Sequence, residues 1–239
     1  MIIKNRIGLT EKKQWEEKWK DIFDHYQQDL RHSYYINAIL TEFDKRVLEL
    51  AAGSFRDMAN LNKLGVDCWG TDYSDISVEM AKNQFADIND KIFQSDAFNM
   101  NIIKDKEFDV TFHNGFWIYF NNDEDIIKLA LEQARITKRI MISTVHNAHN
   151  KQFVSYFEKL SQTDELYNVR FFEVDEIAQL MLKICKSVEI IPVGKGKKFH
   201  EDQMINEGKC TRDELKYFFD KAKMTYLEDS ERLLCIGYL

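Results

Sequence analysis

The sequence predicts an α/β protein. Its centre is a doubly wound, mostly parallel seven-stranded sheet with an antiparallel last strand and helices on both faces. An N-terminal helical cap and an insertion between the last two strands complete it. Three observations carry this expectation. From Arg46 onward, short apolar runs alternate with amphipathic segments, a rhythm that builds a parallel sheet covered on both sides. The two final strand-like runs lack a full crossover between them, so they pair most simply antiparallel at one edge of the sheet. One proline (Pro192) and nine glycines leave no linker and no repeat, so residues 1–239 read as a single domain. Within it, 1–44 form the cap, 45–145 the ligand-binding core, and 146–239 the substrate-side and sheet-completing part.

The elements follow in order. Trp15, Trp19, Ile22, Phe23, Tyr26 and Leu30 recur at helical spacing with Lys, Glu, Asp and Gln on the other face, which predicts a first helix. "RVLELAA" from Arg46 reads as a buried strand and "DMANLNKLG" as a helix closed by Gly65. "VDCWGTD" is a second strand, "DISVEMAKNQFADI" a helix, "KIFQSDA" a third strand and "FDVTFHNG" a fourth. "NDEDIIKLALEQARI" is a helix with acids in its first turn, where the helix dipole favours them. "RIMISTV" is the fifth strand. "EVDEIAQLMLKIC" is a helix, "SVEIIPVG" and "RLLCIGYL" are the last two strands, and "TRDELKYFFDKAK" is a helix within the 195–231 insertion. Crossover handedness leaves the doubly wound sheet as the commonest arrangement of such a series.

Composition narrows the function classes. Hydrophobic residues make up 44% and charged residues 31%, enough apolar material for a core. A net charge of -7 argues against a general nucleic-acid binder, which needs a basic face. Cys68, Cys185, Cys210 and Cys235 form no CxxC pair and read as free thiols, so no metal site is expected. No apolar stretch approaches a membrane span, and residues 1–13 lack the apolar middle of a signal peptide. A cytoplasmic protein without membrane partners is therefore expected. An exposed apolar face on the first helix would suit a homodimer.

Open α/β sheets bind ligands beyond the carboxyl ends of their strands, so the residues delivered there are the candidates. The first strand delivers Glu49 and a turn of small residues, Ala51 to Gly53, that ends at Phe55. The second delivers Asp72, the third Asp96, the fourth His113, Asn114 and Gly115, and the fifth Ser143, Thr144 and His146. Asp72 lies 19 residues after Gly53, close to the spacing at which an acid accepts hydrogen bonds from a ribose diol. Asp96 is placed to accept from an adenine amino group. Glu49 suits a positively charged ligand group and would repel a pyrophosphate.

"VLELAAGSF", "GTDYSDISVEMAK", "QSDAFN" and "FDVTFHNGFWIYF", in this order and spacing, resemble the nucleotide half of class I S-adenosylmethionine (SAM)-dependent methyltransferases. The resemblance covers residues 45 to 145 well and the two late strands loosely. It implies SAM as cofactor, with the Glu49–Gly53 turn, Ala51 included, against the methionine moiety. It further implies Asp72 on the ribose hydroxyls, Tyr73 near the adenine, and Asp96 with the Ala97 backbone on the adenine edge. Asn114 joins this group, and Tyr34 stands for the N-terminal aromatics that lid the site in the family. The family turn usually has glycine where Ala51 and Phe55 stand. Phe55 disfavours a positive φ, so it is expected to point outward or to reshape the pocket near the sulfonium.

Methyl transfer from a sulfonium is an in-line displacement, so alignment and water exclusion matter most, with a base for oxygen acceptors. His113 and His146 are the candidate catalytic residues, with His149 behind them. "NGFW" at 114–117 faintly resembles the Asn/Asp-Pro-Pro-aromatic loop of some amino methyltransferases, without its prolines. Acceptor recognition is expected from the N-terminal helix, residues 146–172 and the 195–231 insertion. There Lys195, Lys197, Lys198 or His200 would meet a phosphate or carboxylate on a small acceptor such as a nucleotide-linked sugar. Two other readings stay open at this point: a nicotinamide-dependent oxidoreductase on a related sheet, and a non-catalytic SAM-fold binding protein.

Overall fold

The computed structural model describes residues 11–194, 211, 213–214 and 223–239. The expectations placed on Lys195, Lys197, Lys198, His200 and Cys210, and most of the helix expected over 211–223, lie outside the described residues.

The sheet runs β3 (Ile92–Gln94), β2 (Cys68–Asp72), β1 (Val47–Glu49), β4 (Phe108–Asn114), β5 (Thr137–Asn147), β8 (Arg232–Tyr238), β7 (Ser187–Val193). The pairs from β3 to β5 are parallel, whereas β8 runs antiparallel to both β5 and β7. The seven expected strands are all present. An eighth, β6 (Phe171–Phe172), pairs with the end of β5 and went unread because two residues carry no periodicity. Strand order reverses between β1 and β4, which opens the ligand cleft at their carboxyl ends.

Strand parity sorts the core into two layers. Val47, Val110, Phe112, Ile140, Ile142, Leu234 and Ile236 pack on one face with α2 (Arg31–Ile39), α3 (Arg56–Lys63) and α4 (Asp75–Gln84). Met141, Val145, Leu233 and Cys235 pack on the other with α5 (Asp123–Ile136) and α7 (Val174–Leu182). The same parity decides which polar residues reach the first face: Glu49, Asn114, Thr144, His146 and Arg232 share it. His113 belongs to the opposite one.

The N-terminal segment is not one helix. α1 (Lys12–Ile22) stops before Tyr26, a 3-10 turn follows at His25–Gln27, and α2 resumes at Arg31. Tertiary bonds replace the helical ones here: the Tyr26 carbonyl accepts from Arg56 Nη1 at 2.7 Å, and Gln27 Nε2 donates to the Ser54 carbonyl at 2.9 Å. Two ion pairs anchor α1 across the strand ends, Lys12 to Asp75 at 2.6 Å and Lys18 to Asp164 at 2.7 Å. Beyond β5, α6 (Lys151–Leu160) is capped by Asn150, and α8 (Lys223–Asp229) leads into β8. No described helix is long and apolar enough to cross a membrane.

Candidate active site

The turn after β1 is built from left-handed backbone. Ala51, Gly53 and Phe55 take φ of 48°, 56° and 55°. Only Gly53 is a glycine, and its reason is close approach: a methyl there would run into the Trp19 ring. Phe55 overturns the expectation set by its bulk. It adopts the positive φ, points neither outward nor into the cleft, and is fully buried in the core against Met58 and Gly70.

A cavity of about 270 Å³ lies over these strand ends. Glu49, Ala51, Gly53, Asp72, Tyr73, Asp96, Ala97, Asn114 and His146 all line it, so nine of the residues named from sequence meet in one place. Two do not. Tyr34 sits on α2 outside the cavity lining, and the aromatics that cover the site are Trp15, Trp19 and Tyr26 instead. His113 is fully buried on the other face of β4, its ring 4.9 Å from Trp117 and 5.7 Å from Phe116, and neither ring nitrogen has a hydrogen-bond partner. Burial draws its pKa down to about 3, and it does not line the cavity, so it is a neutral core histidine. The strand was legible, but the face it turns to the cavity was not.

The acids differ in role. Asp72 Oδ2 accepts from Gly53 N at 2.8 Å and Oδ1 from Ser74 N at 2.9 Å, which ties the β1 turn to the β2 end. The Tyr73 backbone N–H also draws on this carboxylate. Burial raises Asp72 to about 6 against the pull of those backbone N–H groups, leaving it ionised at neutral pH. Asp96 Oδ1 accepts from Phe98 N at 2.9 Å, and Ala97 follows it along the cavity wall. Glu49 Oε2 accepts from Met58 N at 2.8 Å, in the first turn of α3. Burial first, and the nearby Asp57 next, push Glu49 well above the usual carboxylate range.

Asp57 was not found from sequence. It occupies the first turn of α3, where an acid reads as an ordinary helix-dipole residue. Its Oδ2 accepts from His32 Nδ1 at 2.8 Å and from Asn114 Nδ2 at 3.2 Å, and His32 Nε2 lies 2.8 Å from Thr144 Oγ1. Burial alone would raise its pKa, but the His32 imidazole, the Arg56 guanidinium and these hydrogen bonds outweigh it and hold Asp57 below the usual range. Of these two neighbouring acids, Asp57 is held towards its charged form and Glu49 is pushed towards its protonated form. Asp57 Oδ1 lines the cavity with no hydrogen-bond partner, 3.6 Å from Arg56 Nε. Thr71 Oγ1 is likewise buried and unpartnered at the cavity.

The far end of the cavity holds His146 with its ring centroid 5.2, 4.8 and 5.1 Å from those of Phe153, Phe157 and Phe171. Burial, then the Arg232 charge, keep it well below the usual histidine pKa, so it is a neutral imidazole. Tyr26, Tyr119, Tyr167 and Arg232 complete this end.

Residues 48–139 match the family model described as a methyltransferase domain. The fold is that of the class I methyltransferases. A SAM-dependent methyltransferase from Thermotoga maritima shares 16% identity over 94% of this chain and 98% of its own, with a TM-score of 0.63. One from Archaeoglobus fulgidus shares 14% over the same 94% and 98%, also at 0.63. Magnesium protoporphyrin IX methyltransferase from Synechocystis, solved with bound S-adenosylhomocysteine (SAH), shares 12% over 96% of this chain and 89% of its own, at 0.58. At such identities the likeness is one of fold. No curated protein matches the sequence significantly.

Proposed function

We propose that this class I methyltransferase chain works in the cytoplasm, transferring the methyl of SAM to an oxygen or nitrogen of a small anionic molecule. The observation that carries the reading is that Glu49, Asp72, Asp96 and His146, delivered by four different strands, line one cavity. The residues present fit the cofactor's charge pattern. Asp57, on the cavity lining, carries a buried Oδ1 that has no hydrogen-bond partner beyond its 3.6 Å ion pair with Arg56, and it suits the ammonium of the methionine moiety. Asp72 at the β2 end suits the ribose hydroxyls, and Asp96 with the Ala97 backbone suits the adenine edge.

SAM supplies an electrophilic methyl on sulfur. The chain's own contribution is positioning and dryness, because an in-line displacement needs little else from protein. α1 lays Trp15 and Trp19 over the turn and is clamped at both ends by its ion pairs, which excludes water. His146, kept neutral, accepts the proton that a hydroxyl or ammonium acceptor must lose. The test is two-fold. Calorimetric titration should show SAH binding and no comparable NADH binding. Incubation with isotopically labelled SAM and cell metabolites, read by mass spectrometry, should yield a labelled small anion. Absence of SAH binding defeats the reading.

A further inference from the structure

Resting on the methyltransferase reading, we propose that the Arg232 end of the cavity is the acceptor subsite. It takes a flat carboxylic acid whose nucleophilic oxygen or nitrogen lies within a few bonds of the carboxylate.

The Arg232 side chain makes no hydrogen bond or ion pair among the described residues, although it lines a cavity walled by aromatic rings. Its guanidinium stands over the Phe153 ring at 5.9 Å, and its planar fork matches a carboxylate in a bidentate pair. Its Nη1 lies 3.4 Å from where a Cβ on Gly115 would stand, so the charge reaches the end of β4 beside Asn114. Tyr26 and Tyr119 are its electrostatic neighbours, with Tyr167 beside both of them. Burial raises Tyr26 and Tyr119 above the ordinary phenol range, so both remain O–H donors and add no negative charge.

The count of charges selects a monoanion. The other arginine of the cavity, Arg56, is committed to the Tyr26 carbonyl and Asp57. Glu231 adds negative charge next to Arg232. With Glu231 already opposing part of its charge, this one guanidinium can pair with a single carboxylate, whereas a phosphate dianion would stay under-neutralised between aromatic walls. The walls favour a flat body: Trp15 meets Tyr119 edge-on at 4.8 Å, and Phe157 meets Tyr167 at 5.5 Å. Register then places the nucleophile. His146 and Arg232 are directly paired across β5 and β8, on the same face. Opposed side chains start about 5 Å apart, so the proton acceptor and the anion anchor serve neighbouring groups of one small molecule.

The experiment titrates the whole chain, free and again with saturating SAH, with benzoate, benzamide and phenyl phosphate. Fluorescence of Trp15 and Trp19 or calorimetry gives the readout. Benzoate should bind about tenfold or more tighter than either of the others. Arg232→Met should erase that preference while SAH affinity stays unchanged. Should Arg232→Met not fold, Tyr119→Phe and Arg232→Lys serve, each weakening benzoate selectively. Equal binding of benzoate and benzamide, a phenyl phosphate preference, or discrimination surviving Arg232→Met overturns the subsite. SAH bound without acid discrimination leaves the methyltransferase reading standing and removes this one. Acid discrimination in a chain that does not bind SAH shows a carboxylate site but overturns its assignment as an acceptor subsite together with the methyltransferase reading.

Discussion

Replacing His113 by Phe tests the two-faced sheet more sharply than any change in the cavity. In the native protein the imidazole is fully buried with both nitrogens unpartnered, and burial lowers its pKa from 6.5 to about 3. A histidine lowered in this way stabilises the fold above its unfolded pKa of 6.5, and that stability drains away as pH falls towards 3. At about pH 5 the unfolded chain has taken up the proton and the folded chain has not, a cost of roughly 2 kcal/mol at 1.36 kcal/mol per pKa unit. His113→Phe removes this term. The variant should therefore gain about 2 kcal/mol over wild type on going from about pH 8 to pH 5, read by urea unfolding at both values. Its offset at about pH 8 combines two opposed effects of about 1–3 kcal/mol each, relief of the unpartnered nitrogens and the larger ring, so the pH difference is the clean quantity. Asp72 works in the other sense, since its raised pKa withdraws stability as pH climbs from 3.8 to about 6, but it is common to both proteins and cancels. SAH affinity should not change, because His113 does not line the cavity. A stability difference independent of pH would mean that the imidazole is free to protonate in place, and the face assignment would fall.

Asp57→Asn should weaken SAH about ten- to hundredfold by calorimetry, the worth of a charged hydrogen bond, while leaving methylthioadenosine, which has no amino-acid tail, unaffected. Equal losses for both would refute the ammonium role. Gly53→Ala forces a methyl into the Trp19 ring at a φ of +56°, so α1 should lift. Thermal stability should fall by more than the 1–2 kcal/mol of left-handed strain, with Trp fluorescence shifted to the red. His146→Gln should cut kcat of the labelled-methyl reaction by about 10²–10⁴ without moving SAH affinity. Because burial and Arg232 hold His146 below 6.5, the wild-type rate should stay level as pH drops through that value. A fall centred on 6.5 would show an ordinary, solvated imidazole.

What was legible in the sequence was whatever short-range pattern encodes. Alternation of β1 to β5 with their helices, and acids at three strand ends, are local facts, and Glu49, Asp72 and Asp96 do line one cavity. What escaped depends on lateral partners. Arg232 was a charged residue at the head of a terminal strand until β8 paired beside β5 and set it opposite His146. Asp57 looked like any first-turn acid until α2 brought His32 to it across 25 residues. His113 and His146 are equally plausible on paper, and parity against neighbouring strands separates them. Tyr34 misled because the cap breaks after Ile22, which hands the covering role to Trp15, Trp19 and Tyr26.

Phe55 shows how a turn can dispense with its glycines. Left-handed backbone at a bulky residue costs about 1–2 kcal/mol, yet the ring it places in the core is fully buried, and losing such a ring costs about 3–5 kcal/mol. The balance favours Phe, provided something makes room. Gly70 does so from the middle of β2: a Cβ there would lie 2.7 Å from Phe55 Cδ1 and 3.1 Å from Met58 Sδ. The glycine requirement has moved from the turn to the strand beneath it. Phe55→Gly should therefore destabilise by about 1–4 kcal/mol even though it relieves the strained φ, with SAH affinity spared because Phe55 is not in the cavity lining. Gly70→Val alone should be severely destabilising, and in the Phe55→Gly background it should recover part of the loss by refilling the space. Additive effects in that double-mutant cycle would show that the two positions do not share a volume, and the account of the turn would fail.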